Sequence, residues 1–89
     1  MRAIVTVVGC DQVGIIAGVC NLLASMSINI LDINQTVMQE FFTMTMLVDM
    51  KACTARFEQI QAALQDKGEE MKLSIRIQRE DIFHAMHRI

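Results

Sequence analysis

From Ala3 to Gly9 the chain reads AIVTVVG, a short β-branched run that predicts a strand buried on at least one face. Gly9, Cys10, Asp11, Gln12, Val13 and Gly14 then break the pattern. From about Val13 to Ser27 the apolar positions Ile15, Ile16, Val19, Cys20, Leu22, Leu23 and Met26 recur at helical spacing. The remaining positions are mostly Ala17, Gly18, Asn21, Ala24 and Ser25, which leaves this helix almost no polar face. Such a helix needs cover on two sides, so a sheet on one side and a second subunit on the other is the expectation.

Asn29 to Gln39 alternates: Leu31, Ile33 and Val37 fall on one face and Asp32, Asn34 and Thr36 on the other, the pattern of a half-buried strand. Gln39 and Glu40 make a polar turn. Beyond it Phe42, Met44, Met46, Val48 and Met50 form an apolar row opposite Phe41, Thr43, Thr45 and Asp49, so the two runs predict an antiparallel hairpin. Thr54 can cap a second helix and Gly68 can close it, with Phe57, Ile60 and Leu64 along one face. Met71, Leu73, Ile75 and Ile77 alternate with Lys72, Ser74, Arg76 and Gln78 in a fourth strand. Glu80 to Ile89 closes the chain as an amphipathic helix bearing Ile82, Phe83, Met86 and Ile89.

The order βαββαβ plus a short C-terminal helix predicts an α+β, ferredoxin-like fold, a four-stranded antiparallel sheet with both main helices on one face. Asp32, Asn34, Thr36, Thr43, Thr45, Ser74 and Arg76 then lie on the opposite face with Ile4, Thr6 and Val8. At 89 residues the chain is expected to be a single domain, with its core in 1–78 and a helical tail in 79–89.

Composition narrows the function. With 53% apolar and 20% charged residues the chain can bury a core, which excludes disorder. A net charge of −2 without a basic block disfavours nucleic acid and anionic membrane as partners. The open sheet face lacks the aromatic pairs on which RNA-binding sheets stack bases. The charge-free stretch between Asp11 and Asp32 is interrupted by Gln12, Asn21, Ser25, Ser27 and Asn29, so it predicts a buried helix with its turns instead of a membrane span. Cys10, Cys20 and Cys53 have no Cys-x-x-Cys spacing, which fits reduced thiols in the cytoplasm better than disulfides or structural zinc.

Catalytic chemistry has little to stand on. There is no Ser/His/Asp order, phosphate loop or carboxylate pair, and both histidines, His84 and His87, lie in the tail, away from Cys10 in sequence. The expectation is a non-enzyme without a cofactor. Glu80, His84 and His87 would share a helical face, a spacing open to metal ligation but better read as a solvated stripe. The eight methionines sit mostly on apolar rows as flexible core filling.

The segment Gly9-Cys10-Asp11-Gln12-Val13-Gly14-Ile15-Ile16-Ala17 resembles the strand-to-helix signature G-x-D-x-x-G-I/L-V/I-A of ACT domains. Ile28-Asn29-Ile30-Leu31-Asp32 resembles their second recurring element, and the closing residues resemble the tail of small stand-alone bacterial and archaeal members. The resemblance implies a non-catalytic regulatory protein that works as a homodimer or higher even oligomer, alone or with a partner enzyme or regulator. It further implies an amino acid held between subunits by Cys10, Asp11, Gly14 and Ile15 of one loop and by Asn29 and Ile30 of the partner's second strand. Free N–H groups at a helix start suit a carboxylate, and Asp11 or Asn29 suits an ammonium group. Asp11 as a plain helix cap, Asn29 as a turn residue and Gly14 as a packing or turn glycine are the structural alternatives. The functional alternative is a ligand-free dimerisation or protein-interaction module.

Overall fold

The structure is a computed structural model, and it describes residues 2–10 and 13–80. Its elements are β1 (Arg2–Cys10), α1 (Ile15–Ser25), β2 (Asn29–Met38), β3 (Phe41–Asp49), α2 (Phe57–Met71) and β4 (Leu73–Arg79). The strands form one antiparallel sheet in the order β2-β3-β1-β4, the expected ferredoxin-like arrangement. The C-terminal helix expected beyond Glu80 lies outside the described residues.

Alternation decides which side chains meet. In β1 the odd positions Ala3, Val5 and Val7 are fully buried, and register sets Val5 between Met46 of β3 and Ile77 of β4. Those rows pack against Ile15, Val19 and Leu23 of α1 and Ile60 and Leu64 of α2, so both helices cover one face in a single cluster. The other face carries Ile4, Thr6 and Val8 of β1 beside Leu47, Thr45 and Thr43 of β3, as the alternation predicts.

Three local expectations are corrected. Thr54 does not cap α2; the helix starts at Phe57, and the N–H of Arg56 donates to Gln59 Oε1 at 2.9 Å. Gly68 does not end α2 either. It is buried within the helix, where an added Cβ would come within 2.6 Å of the Leu73 carbonyl oxygen, so it serves the close approach of α2 to β4. Lys72 takes the left-handed terminal position at φ 59°, and Met71 belongs to the helix and not to the last strand.

A further correction matters most for function. β2 is an edge strand, and its register against β3 slips between Ile30 and Asp32, leaving Leu31 as the extra residue of a bulge. Ile33 and Val37 do lie on the helix side, opposite Met46 and Phe42, but at the sheet edge they remain 41% and 54% exposed. Leu31 is likewise 44% exposed, so the row expected in the core is on the surface.

Candidate functional site

The residues singled out by sequence fall into two groups at opposite ends of the sheet. Cys10 ends β1 opposite Phe41 and is exposed. Gly14 precedes α1 with φ 89° and ψ 4°, a left-handed conformation that costs any residue with a Cβ about 1–2 kcal/mol. Nothing lies within 4 Å of where that Cβ would be, so backbone conformation and not crowding favours glycine there. Ile15 is buried at 2% exposure; its side chain belongs to the core, and only its backbone can face a ligand. Asp11 lies outside the described residues.

Asn29 and Ile30 open β2 at the other end, opposite Asp49 and Val48. Asn29 is exposed and Ile30 half-buried. Cys10 pairs with Phe41 and Asn29 with Asp49, positions separated along β3 by its length, roughly 26 Å at ~3.3 Å per residue. One chain therefore does not bring its own two groups together.

Among the described residues the surface around Gly14 is apolar. Val13 is fully exposed and Ile16, in the first turn of α1, is 40% exposed. No side chain among the described residues caps that turn, and it contains no acidic residue. The arrangement offers backbone N–H groups to an anion beside exposed aliphatic side chains. Sequence reasoning missed Val13 and Ile16 as part of this surface because their apolar character marked them as core.

Two other features lie apart from it. A groove of about 720 Å³ follows the outer edge of β4, between Gln61, Gln65 and Glu69 of α2 and the strand, and contains none of the candidate residues. No metal-ligand cluster of three His, Cys, Asp or Glu side chains occurs among the described residues; His84 and His87 fall outside them. No described helix is long and apolar enough to cross a membrane. The Cys20 thiol on α1 is held above its ordinary pKa by burial.

Comparison with known proteins is consistent along nearly the whole chain. A UPF0237 protein of Clostridium acetobutylicum is 53% identical over 89 residues, all of both chains. The solved ACT domain protein of Streptococcus pneumoniae superposes with a TM-score of 0.84 at 40% identity, covering 98% of each chain. A formyltetrahydrofolate deformylase of Pseudomonas syringae has the fold in part: TM-score 0.76 at 27% identity, over 88% of this chain and 27% of that one. The sequence pattern of the ACT domain matches residues 2–78. The chain therefore belongs to the ACT domain family.

Proposed function

We propose that this protein is a non-catalytic, cytoplasmic regulatory module that binds a small molecule, an amino acid by class, at an interface between two copies of itself. The observation that carries the reading is the outer edge of β2, which no described element covers. A ten-residue edge strand bearing exposed Leu31, Ile33 and Val37 exposes both apolar side chains and one row of backbone N–H and C=O groups, and proteins rarely leave such an edge open.

Antiparallel pairing of two β2 edges about a two-fold axis buries that row and reverses the second copy end to end. Asn29 and Ile30 of the second copy then come to the end of the sheet where Cys10 and Gly14 of the first copy lie, which reunites the residues one chain keeps apart. The carboxylate of the ligand meets the open turn of α1, Asp11 or Asn29 takes its ammonium group, and Val13 and Ile16 line the approach. The signal passes to a partner enzyme or regulator through the altered dimer. The fold's presence as part of a deformylase chain supports a role beside larger enzymes.

A thermal-shift screen of the twenty amino acids, followed by calorimetric titration, tests this. A ligand of the folded state raises the melting temperature by an amount that grows with the logarithm of its concentration above the dissociation constant. No shift with any of them, in a protein that still dimerises, would leave the ligand-free interaction module as the function.

A further inference from the structure

β4 is the second edge strand of the sheet, and no described strand pairs with its outer side. In a seven-residue strand every second residue turns its backbone N–H and C=O outward, so this edge offers a row of pairing groups. Beside it runs the groove of about 720 Å³, walled by Gln61, Gln65 and Glu69 of α2. That volume falls among ligand clefts, which run to about 300–1,000 Å³.

Spacing defines what fits. Gln61, Gln65 and Glu69 stand four residues apart on one exposed face of α2, which therefore presents a side chain every ~6 Å. An extended chain presents side chains on one face every ~6.7 Å. From Gln61 to Glu69 the helix advances about 12 Å and four strand residues about 13 Å, so three alternate side chains of an added strand keep step with those three. Alignment follows from Gly68, where an added Cβ would meet the Leu73 carbonyl oxygen at 2.6 Å and the Ile75 nitrogen at 3.5 Å. That contact sets Glu69 near Leu73, Gln65 near Ile75 and Gln61 near Ile77.

We infer that this edge is the docking site for an extended segment of a partner protein, added to the sheet as a fifth strand. Backbone pairing supplies the affinity, and charge fixes the register. Two charges line the groove, Glu69 on the helix side and Arg76 on the open face, three strand positions apart by the alignment above. Because three is odd, an added strand meets them with side chains on opposite faces. The segment therefore carries a lysine or arginine on the face turned to α2 and an aspartate or glutamate three residues away on the other face. Hydroxyl or amide side chains meet Gln65 and Gln61. The neighbouring charges are placed elsewhere: Glu80 is bound to Arg2 at 2.6 Å, Lys67 pairs with Glu70 at 3.7 Å, and Glu58, Asp66, Lys72 and Arg79 lie outside the lining.

A second copy of this chain fits the groove less well. Its β4 has Leu73, Ile75 and Ile77 buried in its own core, so it has no helix-side side chains to lower between α2 and the strand. Its β2 would set Ile33 and Val37 against a wall of two glutamines and a glutamate. The site lies on the strand furthest from β2 and rests on neither the amino-acid ligand nor the edge pairing proposed above.

Fluorescence anisotropy of the full chain with a labelled, capped peptide Thr-Lys-Val-Thr-Glu-Thr-Val tests this, beside the reversed sequence for the opposite strand direction. One of the two should bind with a dissociation constant below about 1 mM. N-methylation of one alternate set of peptide residues should abolish binding, and of the other set should leave it. Glu69→Lys, at an exposed position, should weaken binding about fivefold or more, and replacing the peptide's lysine by glutamate should restore it. Arg76→Glu should behave alike toward the peptide's glutamate, with circular dichroism to verify that both variants fold. Val37→Lys, on the far edge, should bind as wild type does. Failure of both peptides at millimolar concentration, or binding blind to Glu69→Lys and Arg76→Glu, would overturn the site. Equal tolerance of N-methylation in both sets would overturn strand addition, and loss in Val37→Lys would move the peptide to β2. Sedimentation showing that Glu69→Lys breaks up an oligomer would give the edge to a second copy instead. An amino acid whose melting shift is lost in Glu69→Lys would give the groove to the small ligand. Peptide binding in a chain that no amino acid stabilises would keep this site and remove the ligand reading.

Discussion

Two residues around the end of α2 exchange the roles their identities suggest. Gly68 looks like a helix terminator yet sits buried in the last turn of α2 against β4, whereas Lys72 occupies the left-handed terminal position that glycine fills at least cost. Gly68→Ala should therefore destabilise by roughly 1–3 kcal/mol through overpacking on the Leu73 carbonyl. Lys72→Gly should stabilise by up to about 1 kcal/mol, and urea melts of both variants check the opposite signs. The cysteines make a second prediction at this scale. Cys10 is exposed, while the partly buried Cys20 thiol is held above its ordinary pKa by desolvation. Maleimide labelling near neutral pH, read by mass spectrometry, should modify Cys10 well before Cys20. Because the folded state favours the protonated Cys20 thiol, its contribution to stability is present below the unfolded thiol's pKa. That contribution should fade as pH rises through the raised folded value.

Among the elements, β2 is the one whose role the chemistry of its residues leaves open. Its alternation of apolar and polar positions is that of a strand with one buried face, and in that respect the pattern is sound: Ile33 and Val37 do share the helix side. What alternation cannot convey is position in the sheet. β1, in the centre, has neighbours on both sides and its row closes completely, whereas β2 has β3 on one side only and its row stays open. The bulge at Leu31 was equally hidden, since an extra residue leaves no mark in a run already rich in aliphatics. The element order, both rows of β1, β3 and β4 and the open polar face were legible because period-2 alternation there coincides with burial on one side. Val37→Lys should accordingly leave the melting temperature of the monomer within a few degrees of wild type and abolish edge-to-edge association, because a charged edge residue blocks strand pairing while the core is untouched. Analytical ultracentrifugation with a parallel thermal melt separates the two effects. A large loss of stability in the monomer would instead assign Val37 to the core.

At the scale of the whole molecule the candidate site exists only as halves. The loop signature was readable because glycine at Gly14 answers a positive φ, yet no sequence pattern states that Cys10 and Asn29 lie at opposite ends of one sheet. Their separation has a consequence that distinguishes a shared site from one contained in a single chain. If a ligand contacts the loop of one copy and the β2 start of another, binding and dimerisation are linked, and each must strengthen the other by the same factor. Diluting the protein below its dimer dissociation constant should then weaken the apparent affinity for the amino acid, whereas a single-chain site would bind with the same constant at every protein concentration. Saturating ligand at about a hundred times its dissociation constant is worth about 2.7 kcal/mol of stability, enough to raise the melting temperature of a chain this size by roughly 10–20 °C. That shift should shrink on dilution and vanish in Val37→Lys. Titrations at protein concentrations spanning two orders of magnitude, repeated in Val37→Lys, measure the linkage directly. An affinity independent of protein concentration and intact in the monomeric variant would confine the site to one chain, and the groove beside β4, with Gln61, Gln65 and Glu69 along its wall, would be the place to map it.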